Sequence, residues 1–299
     1  MHVARHGHLR LVYETSGPVD GAPLLLIGGL GAQLLAWPDE FCTLLGERGF
    51  RVARFDNRDA GLSTHLTGVP APGWIRSVLH RSSAPYRLED MADDTVAVLD
   101  ALGWPSAHVV GASMGGMIAQ TLAVRAPDRV RTLTSIRSTP SAWIGTIPAP
   151  RTLLGLIRMG ANRSADEESS VKRFLAMRTI IGSAGALEPD DVARALARRA
   201  YLRSADRPDG TIRQRAAIIA SGDRRAGLRK LRVPTLVIHG DRDPLVRPIG
   251  GRATAAAIPG ARLVVLPGIG HDLPSAVWSQ VADEIAALAG LLSGGRAPD

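Results

Sequence analysis

Short apolar runs alternate with stretches of helical spacing along most of the chain. Pro23–Ile27 and Ala107–Gly111 are continuous apolar runs, the pattern of strands buried on both faces. Arg51–Phe55, Val130–Ile136, Val233–His239 and Ala261–Leu266 read as further strands, and His8–Thr15 alternates with Leu9, Leu11 and Tyr13 on one face. Between them, Pro38–Arg48, Leu88–Leu102, Met114–Arg125, Pro248–Ile258 and Ala276–Leu292 space their apolar residues as helices. Glu89, Asp90, Asp93 and Asp94 near the start of the second helix suit its dipole. Strands alternating with helices predict an α/β fold, a mostly parallel, doubly wound sheet covered on both faces.

The rhythm fails twice. Residues 64–86 hold Pro70, Pro72, Gly73 and Pro85 and read as irregular. Residues 140–230 show no strand–helix alternation, although Val171–Ile181 and Asp190–Leu202 have helical spacing and high charge. The expected organisation is therefore a core of residues 1–139 and 231–299, with 140–230 a mainly helical insertion between two strands. The Gly/Pro-rich tail Ser293–Asp299 is expected to fray.

Composition adds constraints. With 299 residues, 45% hydrophobic and 21% charged, the chain can bury a full core and is not disordered as a whole. Its one cysteine, Cys42, excludes an intrachain disulfide and a cysteine-based zinc site. The N-terminus lacks a secretory apolar region and no apolar run reaches about 18 residues, so a cytoplasmic protein without membrane insertion is expected. The net charge of +8 is concentrated: residues 140–230 hold 17 Lys/Arg against 9 Asp/Glu, and the rest of the chain holds 19 of each. That excess is either a solvated surface or a field favouring anionic substrates. Nucleic acid is not an expected partner, because the segment has no recognition motif and aromatics are only 4% of the chain.

The chemistry centres on Gly111-Ala112-Ser113-Met114-Gly115, where an apolar strand meets a helix. This is the nucleophile-elbow pattern, a tight turn that lifts a serine hydroxyl above the sheet edge. Serine needs a base. Of eight histidines, His2 and His6 read as solvent-exposed, His8 opens a strand, His65 and His80 lie in the irregular stretch, and His108 is at the wrong end of its strand. His239 ends a strand and can be a packed core residue. His271 follows Leu266-Pro267-Gly268-Ile269-Gly270, a loop on the carboxyl side of the sheet, and is the expected base.

The base needs a carboxylate to fix its tautomer. In Gly240-Asp241-Arg242-Asp243-Pro244, Asp243 lies deeper in the turn and can reach His271; Asp241 reads as a turn former, and Asp272 as pointing elsewhere. The chain order Ser113, Asp243, His271 is that of the α/β-hydrolase arrangement. Oxyanion donors are expected from the Met114 amide and, unless Gly28-Gly29-Leu30-Gly31 is a plain glycine turn, the Leu30 amide. That loop lacks GxGxxG, so a dinucleotide site is a poor alternative.

These motifs, with Asp56-Asn57-Arg58-Asp59-Ala60-Gly61-Leu62-Ser63 and Pro267-Gly268-Ile269-Gly270-His271, make the chain resemble the α/β-hydrolase superfamily. Trp37-Pro38-Asp39-Glu40-Phe41 and Ile258-Pro259-Gly260-Ala261-Arg262-Leu263 make it most like the aclacinomycin methylesterase type, which demethylates carboxymethyl esters on polyketides. The resemblance implies Ser113 as nucleophile, His271 as base, Asp243 as its partner, amides of Leu30 and Met114 in the oxyanion hole, and 140–230 as a helical cap. It implies a small-molecule ester substrate, no cofactor and no metal, in a monomer or homodimer. Gly28 stands where many members carry histidine, so the support of that loop is expected to differ.

Rival readings keep the three residues but change the chemistry to that of a thioesterase, lactonase, carbon–carbon bond hydrolase or perhydrolase. A further rival is a non-catalytic small-molecule binder. Ser113 excludes the aspartate-nucleophile dehalogenases and epoxide hydrolases. Trp143 and Leu153–Met159 are expected to line the pocket or to pack inside the cap.

Overall fold

The computed structural model describes residues 1–160, 166–205 and 208–291. The tail Ser293–Asp299, expected to fray, lies outside the described residues. Among the described residues eight strands form one sheet: β1 (His2–His6), β2 (Leu9–Ser16), β3 (Ala22–Ile27), β4 (Phe50–Phe55), β5 (Ala107–Ala112), β6 (Val130–Ile136), β7 (Thr235–Gly240) and β8 (Arg262–Leu266). Their order is β1-β2-β4-β3-β5-β6-β7-β8. β1 and β2 run antiparallel to their neighbours, and every pair from β4 through β8 is parallel.

The apolar runs explain this layering. In β3, Leu25 and Ile27 join the core on one face of the sheet, while Leu24 and Leu26 join the core on the other. Val109 and Val110 of β5 split the same way. Side chains alternate faces along a strand, so only a strand buried on both sides can be apolar throughout.

Helices α1 (Asp39–Glu47) and α11 (Trp278–Leu288) cover one face through Phe41, Leu45, Val281 and Ile285. Helices α3 (Leu88–Ala101) and α4 (Met114–Arg125) cover the other through Met91, Val98, Met117 and Ile118, joined by α10 (Ile249–Ala257) at its end. Between β6 and β7 lie α5 (Pro150–Gly160), α6 (Glu167–Ile181), α7 (Asp190–Arg203), α8 (Pro208–Ser221) and the short α9 (Arg225–Leu228). Among the described residues no helix is long and apolar enough to cross a membrane.

Three expectations are corrected. The N-terminus forms a hairpin, not a single strand; His2 is exposed, as expected, but stacks on Tyr13 at 5.4 Å, and the half-buried His6 has its Nδ1 2.8 Å from Asp94 Oδ1. His8 lies in the intervening turn and β2 begins at Leu9. The stretch 64–86 contains a helix, α2 (Trp74–Leu79), which packs against α8.

Candidate active site

The turn from β5 into α4 holds Ser113 at φ 57°, ψ −119°, a backbone conformation unfavourable to any residue with a side chain. The surroundings impose it. Ser113 N–H donates to Ile136 O at 2.9 Å, and Ser113 O accepts from Gly116 N–H at 3.0 Å and Ser138 Oγ at 2.7 Å. A Cβ on Gly111 would lie 2.1 Å from Gly115 O, and one on Gly115 would lie 2.1 Å from Ile27 O. Only glycine at both positions lets the chain double back so tightly, which is why the elbow motif demands small residues there.

The hydroxyl so presented meets the residues picked out by the sequence. His271 Nε2 lies 3.0 Å from Ser113 Oγ, and His271 Nδ1 lies 2.7 Å from Asp243 Oδ2. Both His271 and Asp243 are buried. Asp243 Oδ1 accepts the Leu245 and Val246 amides, each at 2.9 Å. Burial works against the Asp243 charge, but the His271 and His239 imidazoles outweigh it and hold the carboxyl well below its usual range. For His271 burial prevails over the pull of Asp243, helped by the Arg137 charge, and its value falls below the ordinary one for histidine. The imidazole is therefore neutral, with a lone pair to accept a proton, at neutral pH.

The competing carboxylates are occupied elsewhere. Asp241 Oδ1 accepts the Gly268 amide at 2.7 Å. Asp272 accepts the Ser183 amide at 3.1 Å and the Ser183 hydroxyl.

Beside Ser113 runs the loop after β3; a Cβ on Gly29 would sit 3.9 Å from Ser113 Oγ. With glycine at position 28, three polar side chains brace this loop. Asn57 Nδ2 donates to Gly28 O at 3.1 Å, Gln214 Oε1 accepts the Gly31 amide at 2.7 Å, and Asp56 Oδ1 accepts the Leu34 amide at 2.7 Å. The Leu30 and Met114 amides donate to no protein acceptor in the hydrogen bonds of the described residues outside regular helices and strands. A cavity of about 620 Å³ opens from this loop under α6, α7 and α8, lined by Leu30, Leu35, Phe174, Met177, Leu196 and Ile212 among others. Its size suits a multi-ring or long-chain ligand.

A model of the alpha/beta hydrolase fold family matches residues 22–274. This chain belongs to the α/β-hydrolase family. The hydrolase is 33% identical to rhodomycin D methylesterase DauP of Streptomyces sp. (strain C5), over 92% of this chain and 93% of that protein. It is 32% identical to the rhodomycin D methylesterase DnrP of Streptomyces peucetius, with the same coverage of both chains. Among solved structures it is similar to the enol-lactonase of Burkholderia xenovorans LB400, with a TM-score of 0.73 and 25% identity over 97% of this chain and 100% of that one.

Sequence reasoning missed several supports of the hydrolase site. His239, left open as a core histidine, is buried with Nε2 donating to Val246 O at 2.8 Å and lying 3.4 Å from Asp243 Oδ2. Arg137, at φ 43°, donates through Nη1 to His271 O at 2.9 Å. Asp56 and Asp59 fasten the turn after β4 to α7 and α8: Arg203 Nη1 reaches Asp56 at 2.7 Å, and Arg213 grips Asp59 through two bonds of 2.8 and 2.6 Å. The only sequence signals for the two aspartates were an acidic turn and, far along the chain, an arginine-rich segment. Trp143 and Leu153–Met159 are corrected: only Met159 borders the cavity, Trp143 stacks with Arg81, and Leu153, Leu154 and Ile157 are exposed.

Proposed function

We propose that this chain is a serine esterase that cleaves a carboxylic ester, of the methyl-ester type, on a sizeable and largely apolar small molecule. The observation that carries the reading is the unbroken path from Ser113 Oγ through His271 to Asp243, at 3.0 and 2.7 Å. Ser113 attacks the ester carbonyl while His271 Nε2 takes its proton. The Leu30 and Met114 amides receive the oxyanion of the tetrahedral intermediate. His271 returns the proton to the leaving alcohol, giving an acyl-enzyme on Ser113. Water, deprotonated by His271, then releases the acid.

The helical insertion 140–230 acts as a cap that encloses the substrate. A polyketide-like scaffold fits both the apolar lining of the cavity and the methylesterase relatives. The chemistry requires neither a metal nor a cofactor. We read the protein as a cytoplasmic monomer or homodimer that handles small molecules, not nucleic acid.

The test is hydrolysis of a p-nitrophenyl ester by wild type and Ser113→Ala, with labelling by a serine-directed phosphonate. The variant should lose at least about 10³-fold in turnover and escape labelling. Wild-type turnover by Ser113→Ala would end the reading. The enol-lactonase likeness favours one second reading, lactone opening through the same acyl-enzyme. Comparing kcat/KM on aromatic methyl esters and lactones decides between them.

A further inference from the structure

The base of this site sits on a loop, and loops do not by themselves hold a ring to a few tenths of an ångström. Besides the Arg137 bond to its carbonyl and the Asp243 bond to its ring, His271 is held by the end of α6. His271 N–H donates to Ile181 O at 2.7 Å. One residue earlier, Gly270 N–H donates to Ser183 Oγ at 2.9 Å. One residue later, Asp272 accepts the Ser183 amide at 3.1 Å and the Ser183 hydroxyl. The Ser183 hydroxyl thus gives its proton to Asp272 and takes one from Gly270, so the two side chains are tied to each other and to backbone.

The crossing is close. A Cβ on Gly270 would lie 2.6 Å from Gly182 O, and one on Gly182 would lie 3.0 Å from Asp272 Oδ2. Ser183 is fully buried. The helix that ends in this strap also lines the cavity through Phe174 and Met177.

We propose that Ser183 and Asp272 are positioning residues for the base. They fasten the His271 loop to the cap and so fix the imidazole within reach of Ser113. Neither lies on the proton path, since Asp243 already occupies His271 Nδ1. The proposal rests on His271 being the base and goes beyond it, assigning the cap a part in holding the catalytic geometry. It predicts a fault in alignment, not in proton affinity. A misplacement of about 1 Å costs on the order of 100-fold in rate.

The experiment measures p-nitrophenyl ester hydrolysis across pH for wild type, Ser183→Ala, Asp272→Ala and Asp272→Asn, with rates divided by the competent sites titrated with a phosphonate, and for Ser113→Ala, which has no site to label, per total folded protein. Ser183→Ala and Asp272→Ala should each lose about 10- to 100-fold in kcat, with KM within about twofold and the acid limb unmoved. Asp272→Asn, which keeps an acceptor for the Ser183 amide, should recover part of the loss. A variant carrying both Ser183→Ala and Asp272→Ala, measured alongside, should be no worse than the worse single one, because the two side chains act as one unit.

Retention of kcat by folded Ser183→Ala and Asp272→Ala overturns the strap, as does a loss explained by fewer competent sites or by a moved acid limb. Failure of all three strap variants to fold would make the contact purely structural and overturn it as well. Activity surviving in Ser113→Ala would instead strike at the esterase mechanism, so the two failures are told apart.

Discussion

His239 and His271 converge on one atom: Asp243 Oδ2 lies 2.7 Å from His271 Nδ1 and 3.4 Å from His239 Nε2. The other oxygen, Oδ1, is held by the Leu245 and Val246 amides. His239 Nε2 also donates to Val246 O. The carboxylate is therefore locked by its own turn before the His271 loop meets it. Charge-assisted bonds from fixed donors keep it ionised in a buried place that would otherwise protonate it.

Asp243→Asn should lower kcat/KM by about 10³- to 10⁴-fold, because an amide at this position can present a donor to His271 Nδ1 and favour the wrong tautomer. The Asp243 charge raises the His271 value against the opposing burial. Without it, the acid limb of the rate profile should move to lower pH while the loss persists on the plateau. An unchanged plateau rate would remove Asp243 from the mechanism.

Arg137 acts on His271 in the opposite direction. Burial lowers the His271 value first, and the nearby guanidinium lowers it further. Arg137→Met removes that positive charge, so the imidazole should bind its proton more readily. In the proposed mechanism activity depends on the neutral ring, so the acid limb should rise toward the ordinary value for histidine, about 6.5. The plateau should fall by no more than about tenfold, the cost of the hydrogen bond to His271 O, roughly 1 kcal/mol. A stationary limb in the pH profile of kcat/KM would contradict this.

The parallel strands and the helices of the core were legible because each signal is local. Leu24 to Ile27 alternate between two cores, and a run apolar at every position says so without coordinates. The meeting of Ser113, Asp243 and His271 was legible because each sits in a loop that follows a strand at the same end of the sheet. β1 was not. Its five residues include His2, Arg5 and His6 and form a strand only by pairing with β2. α2 was hidden by Pro70, Pro72 and Gly73, and it exists because it packs against α8, far along the chain. The Ser183–Asp272 strap and the braces from Arg203, Arg213 and Gln214 join residues between 89 and 183 positions apart. No periodicity encodes such contacts. A polar residue in the helical insertion reads as solvated surface until its partner in the core is seen.

His108, set aside as catalytically misplaced, has a consequence for stability. It is buried at the start of β5, edge-on to Phe50 and bonded to Thr132. Burial and then the Arg131 charge pull its value down to about 4. The unfolded chain, near 6.5, takes up the proton first. The stability this histidine supports is thus complete above about pH 6.5 and declines as pH falls toward about 4, by roughly 3 kcal/mol in all. Urea unfolding at several pH values should show a flatter acid decline for His108→Gln. Parallel declines in the two proteins would mean that other groups govern acid unfolding.

Ser113 carries a cost set by the fold. Its φ of 57° with ψ of −119° is tolerated by glycine far better than by any residue with a Cβ, and such strain is worth about 1–3 kcal/mol. Ser113→Ala keeps the Cβ and hence the strain; Ser113→Gly releases it, offset by about 0.5–1 kcal/mol of added freedom in the unfolded chain. Both variants should be inactive, yet the glycine variant should resist urea better than the alanine variant, by about 1 kcal/mol. Gly111→Ala should do the reverse. Its new methyl would meet Gly115 O and so force the elbow open, lowering stability and phosphonate labelling together even though the side chains of Ser113, Asp243 and His271 are untouched. Equal stability of the glycine and alanine variants at position 113 would mean that the turn is not strained, and that the serine stands above the sheet at no cost to the fold.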